Sequence, residues 1–124
     1  MLLCIDDNAT ALQIRKVVLE SAGYFVLAAS DSATAMQLFS SSPVDLVISD
    51  YFLQSGTGTE LAAAMKQLEP EVPIVILSGA LEPLDRMEHA DMFICKNESP
   101  PDVLRKISEL LKTFGLRKRP LQAA

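Results

Sequence analysis

Four polar positions stand directly after short apolar runs. Asp6-Asp7 follow Leu2 to Ile5, Asp50 follows Leu46 to Ser49, Ser78-Gly79 follow Ile74 to Leu77, and Lys96 follows Met92 to Cys95. Three carboxylates brought together repel one another and require a counter-charge. A hard divalent cation supplies one, and Mg2+ suits a few carboxylates, a backbone carbonyl, waters and a phosphate. Lys96 adds a fixed positive charge, and the Ser78 hydroxyl adds a hydrogen-bond donor. These are the parts that hold a phosphoryl group in transfer, where catalysis is mainly positioning and charge neutralisation. Asp50 is the candidate nucleophile, because a carboxylate can form an acyl phosphate. Singly, each residue is ordinary: an Asp-Asp pair is a common cap or turn, and Ser-Gly a common turn. Their joint occurrence carries the reading.

The elements that must gather them are legible as alternation. Apolar runs at Leu2 to Ile5, Tyr24 to Ala28, Leu46 to Ser49, Ile74 to Leu77 and Met92 to Cys95 have the length and continuous apolarity of strands buried on both faces. Between them the period becomes helical. Ala11, Ile14, Val18 and Ala22 form one stripe closed by Gly23; Ala35, Met36 and Phe39 mark a second helix entered near Ser30 or Asp31. Leu61, Met65 and Leu68 mark a third, stopped before Pro70, and a short, weakly patterned fourth spans Leu84 to His89. The last starts at Ser99-Pro100 and points Val103, Leu104, Ile107, Leu110 and Leu111 at the core. Five such alternations imply an α/β fold, a doubly wound parallel sheet with right-handed crossovers. Ligands of such sheets bind outside the carboxyl ends of the strands, where the polar positions stand.

Composition limits the function. The 124 residues fit one domain, and a net charge of −5 argues against a direct nucleic-acid binder. Arg117-Lys118-Arg119 is too short a basic run to reverse that. Cys4 and Cys95 lie in apolar runs without metal spacing and read as reduced core residues, which fits a cytoplasmic protein with no membrane segment.

Cys4-Ile5-Asp6-Asp7-Asn8, Leu46 to Asp50, Gly58, Ile76-Leu77-Ser78-Gly79 and Phe93-Ile94-Cys95-Lys96 together resemble bacterial response-regulator receiver domains of the chemotaxis-regulator type, over roughly residues 2 to 114. The resemblance implies a flavodoxin-like (βα)5 sheet of strand order 2-1-3-4-5. It implies a receiver domain at 1–114 and a flexible basic tail at 115–124. It implies that Asp50 accepts a phosphoryl group from a sensor histidine kinase or phosphotransfer protein, and that Asp6, Asp7, Asp50 and the Phe52 backbone carbonyl hold Mg2+. Asp7 would touch the ion directly and Asp6 largely through water. Ser78 and Lys96 would bind the phosphoryl oxygens, with Ser78 and the aromatic Phe93 acting as the switch. The output is an unidentified partner protein or effector domain. Phosphoryl gain and loss at Asp50 are intrinsic activities, not those of a turnover enzyme.

Three departures from the family pattern stand out. Asn97 replaces the usual Pro after the lysine, where a cis bond without proline costs roughly 2.5–4 kcal/mol, so either a strained cis peptide or a rearranged loop is expected. Gln54 replaces the usual Pro four residues past the phosphoacceptor, which should loosen that loop. The segment from Ser78 to Lys96 is about one helical turn short, with His89 where a Gly is common. These keep a second reading open, a degenerate receiver that binds or dimerises without phosphorylation. A third, a small Mg2+-dependent phosphohydrolase of the haloacid-dehalogenase type using Asp6, is opposed by Asn8 at its second acid position and by the lack of room for a cap domain.

Overall fold

In the computed structural model of the chain, residues 1–53, 56–79 and 89–118 are described, with side chains as far as Phe114. Strands β1 (Leu2–Ile5), β2 (Val26–Ala29), β3 (Leu46–Asp50), β6 (Ile74–Ser78) and β7 (Met92–Cys95) form one parallel sheet in the order β2-β1-β3-β6-β7. Setting aside a two-stranded ribbon of β4 (Phe52–Leu53) and β5 (Gly56–Thr57), this is the expected 2-1-3-4-5 order. Helices α1 (Ala9–Ser21), α2 (Ser32–Ser41), α3 (Gly58–Leu68) and α4 (Pro100–Lys118) flank it. The expected short helix at Leu84 to His89 falls almost wholly in 80–88, outside the described residues.

Each strand is apolar on both faces because each face has its own helices to cover it. Leu3, Ile5, Val47, Ile74 and Ile76 join Ala35 and Phe39 of α2 and Leu61, Ala62 and Met65 of α3 in one core cluster. Leu2, Cys4, Ile48, Val75, Leu77 and Ile94 point the other way, toward Leu12 and Leu19 of α1 and Ile107 and Leu110 of α4. The twofold alternation of strand side chains divides the core in two.

Local signals set the helix ends. Asn8 and Asp31 cap α1 and α2, their side chains accepting from the Ala11 and Thr34 backbone N–H groups at 2.9 and 2.7 Å. Gly23, at φ +98°, ends α1 as expected. Its N–H and that of Tyr24 return to the carbonyls of Glu20 and Leu19. That use of Tyr24 delays the second strand from its expected start to Val26 and leaves Phe25 80% exposed.

Two expectations are corrected. The stripe Ala11–Ile14–Val18–Ala22 is not the core face of α1: Leu12 and Leu19 are buried, whereas Ile14 is 60% exposed. Ala11, Ile14 and Val18 instead line a groove between α1 and α4 of about 320 Å³, which only partly covers them. Leu68, expected in the α3 core stripe, is exposed because it is the last residue of its helix. Helix α4 runs on through residues 115–118. No helix of the described residues is long and apolar enough to cross a membrane.

Candidate functional site

Parallel register delivers the polar positions to one edge. Ile5 pairs with Ser49, Asp50 with Leu77, and Ser78 with Cys95, so Asp6, Asp50, Ser78 and Lys96 leave neighbouring strand ends on the same side. Backbone hydrogen bonds carry the alignment past the strands: Asp6 N–H to Ala29 at 3.2 Å, Tyr51 N–H to Leu77 at 2.8 Å and Lys96 N–H to Ser78 at 2.8 Å.

Oxygens of Asp6, Asp7 and Asp50 lie within 4.8 Å of one another. Asp6 and Asp50 are buried, and Asp7 is the most open. Two cations offset the buried pair. Lys96 Nζ stands 2.7 Å from Asp50 Oδ1 and Arg15 Nη1 stands 3.1 Å from Asp6 Oδ2. The Asn8 N–H donates to Asp6 Oδ1 at 2.9 Å, so the turn that caps α1 also fixes a site carboxylate. An all-oxygen cluster with one open carboxylate is a donor set that fits Mg2+.

The floor under Asp50 is tightly built. The Gly58 N–H donates to the Tyr51 carbonyl at 2.6 Å, and a Cβ on Gly58 would lie 2.4 Å from the Asp50 carbonyl oxygen. Only glycine fits there. Immediately next, Thr57 and Glu60 form a capping box that starts α3. Ser78 is buried at the end of β6. Phe93 pairs with Ile76 in register and is half-buried, and Phe52 is 58% exposed with its ring edge-on to Tyr51.

Of the two outcomes expected for Asn97, the strained cis peptide is not the one adopted: the Lys96–Asn97 peptide is trans. Glu98 organises the turn. Its N–H donates to the Cys95 carbonyl, and its carboxylate accepts from the Cys95 N–H, both at 3.1 Å, and from Lys106 Nζ of α4. The Lys106 bond, then the Cys95 N–H, hold the Glu98 carboxyl below the usual glutamate range. Gln54 lies outside the described residues, but the chain on either side of it closes as the β4–β5 ribbon.

Sequence reasoning thus named every acid of the cluster and missed Arg15 and Glu98. No local signal singled out Arg15: it stands beside Lys16 in Ile14-Arg15-Lys16-Val17-Val18, and only its place on the helix that begins just after Asp6-Asp7 brings it to the site.

A doubly wound sheet with this acid, hydroxyl and lysine edge defines a phosphoacceptor module, and the chain belongs to the family of response regulator receiver domains, which it matches over residues 2–108. Receiver domains of two-component systems are not in general turnover enzymes. Among individual relatives, the phosphate regulon transcriptional regulatory protein PhoB of Pseudomonas aeruginosa is 29% identical over 120 residues, covering 92% of this chain and 52% of its own length. The two-component response regulator ORR5 of Oryza sativa subsp. japonica is 31% identical over 117 residues, covering 89% of this chain and 87% of its own. The CheY-like receiver domain protein of Methanospirillum hungatei superposes with a TM-score of 0.86 at 27% identity, covering 94% of this chain and 96% of that one. The chain therefore spans about half the length of the PhoB relative.

Proposed function

We propose that Asp50 takes a phosphoryl group from a phosphohistidine of a sensor kinase or phosphotransfer protein, and that the chain, as a receiver domain at 1–114, signals by changing which protein it binds. The observation that carries this reading is the 2.7 Å contact of Lys96 with Asp50 inside a cluster of three carboxylates. A carboxylate oxygen of Asp50 attacks phosphorus as the phosphorus–nitrogen bond breaks, and the bonding pair leaves with the donor imidazole. Lys96 and the Ser78 hydroxyl bind the peripheral phosphoryl oxygens. Asp6, Asp7, Asp50 and the Phe52 carbonyl would hold Mg2+, which supplies charge neutralisation when bound. Hydrolysis reverses the modification when water attacks the same phosphorus and the Asp50 carboxylate leaves.

Ser78 and Phe93 make the switch. The hydroxyl is drawn toward the phosphoryl oxygens, and the half-buried ring turns into the space it leaves. The output is a protein contact, since the chain carries a net charge of −5. PhoB is named as a transcriptional regulator, and if a DNA-binding output follows in the whole protein it belongs to a separate effector domain. A reduced, cytoplasmic setting fits the two free thiols.

Intact-mass spectrometry after incubation with Mg2+ and phosphoramidate tests this. One phosphoryl group is expected on the native chain, lost on standing, and none on Asp50→Asn. No addition to the native chain would favour a receiver that works without phosphorylation.

A further inference from the structure

The Asp6 carboxylate has a resident cation that the proposed chemistry does not use. Arg15 lies in the second turn of α1, and its stem runs along the groove wall beside Ala11, Ile14 and Leu19. Its guanidinium reaches back to the strand edge, where Nη1 meets Asp6 Oδ2 at 3.1 Å. Both members are enclosed, the Arg15 side chain 17% and the Asp6 side chain 1% exposed.

We infer that Arg15 is a built-in counter-ion that competes with the divalent cation for Asp6 and sets how much Mg2+ the site requires. The inference rests on the carboxylate cluster being the Mg2+ site. The other cation, Lys96, is 37% exposed and stands on a turn, so it can withdraw toward solvent or onto a phosphoryl group. Arg15 is held by its helix and by the groove and keeps its charge beside Asp6. A cation approaching the cluster meets that charge whether or not Lys96 moves.

Asp6 itself does not depend on Arg15 for its position, because the Asn8 N–H holds its other oxygen at 2.9 Å. Removing the arginine charge therefore leaves the ligand in place and strengthens the field that draws the ion. Even under nearly bulk-water screening, a unit charge one carboxylate away weakens divalent binding by about tenfold. The arginine thus tunes the site to stay metal-free at low Mg2+ and to fill only when the ion is abundant.

Direct Mg2+ titration by calorimetry, with Mn2+ paramagnetic relaxation alongside, tests this on the whole chain. Arg15→Met and Arg15→Gln should both bind about tenfold tighter than the native chain, and Arg15→Lys, which keeps the charge, should bind within about twofold of it. Arg15→Gln retains a hydrogen-bond donor toward Asp6 and serves if Arg15→Met folds poorly. Unchanged or weaker binding in both neutral variants, with native binding lost in Asp7→Ala, overturns the competition and leaves the metal site standing. Absence of saturable binding to the native chain, or binding indifferent to Asp7→Ala, overturns the metal assignment and the inference with it.

Discussion

The two buried acids of the site are each paired with one cation, yet the two sides are built differently. Asp6 is held by the backbone of the α1 cap and by Arg15, which sits within a helix and lines a groove. Asp50 ends a central strand, but its partner Lys96 stands on a turn whose shape depends on side-chain bonds of Glu98. One side is a fixed anchor, the other an arm. In the proposed transfer, a phosphoryl group arriving at Asp50 would displace the Lys96 contact, and the half-exposed arm leaves that side chain room to move. The anchor keeps the acid cluster in shape while it does so.

Matched truncations should expose this difference. Arg15→Met leaves the Asp6 charge buried beside two other carboxylates and should cost about 3 kcal/mol of stability in metal-free buffer. Lys96→Met should cost under about 1 kcal/mol, since its side chain is more than a third exposed and water screens the pair. Urea unfolding of both variants measures the gap, and equal losses would erase the distinction.

Gly58→Ala probes the floor on which both sides rest. Its new Cβ, 2.4 Å from the Asp50 carbonyl, must push α3 or the end of β3 aside, at a cost of about 2 kcal/mol. Loss of phosphoryl uptake beyond the loss of stability would place the strain at Asp50.

The smallest effect is the pH dependence of the arm. Because the folded Glu98 carboxyl titrates below its ordinary range, its contribution is fully present above that range and disappears as the pH falls through the lowered value. Glu98→Gln should flatten the acid limb of the stability profile slightly. Asp31, held low by Thr34 at the α2 cap, contributes a slope of the same sign in both proteins and cancels in the comparison. An unchanged acid limb would mean that the Lys106 bond does not persist in solution.

Much of this was legible because strand ends and helix caps are local. Asp6-Asp7, Asp50, Ser78 and Lys96 are visible as polar residues at the ends of apolar runs, and the register follows from parallel alternation. Arg15 was not legible, since its partner depends on which way a helix is rotated on the sheet. The apolar pattern of α1 favoured a face centred on Ile14, whereas Leu12 and Leu19 face the core. Hydrophobicity alone could not separate a core face from a groove wall. The turn after Lys96 was foreseen only as a departure from the family; the Glu98 to Lys106 bond that shapes it bridges two elements and leaves no local signature.

The two thiols share a composition class and nothing else. Burial pushes the Cys4 thiol up to about 12, against a smaller opposing pull from Arg15, whereas Cys95 is half-buried and lines the groove next to Lys96. Since the thiolate is the reacting species, an alkylating fluorophore near neutral pH will choose Cys95. The native chain thus offers one chemoselective attachment point, beside the lysine arm and in register with Ser78, from which an optical signal can follow that arm in real time without any engineered residue.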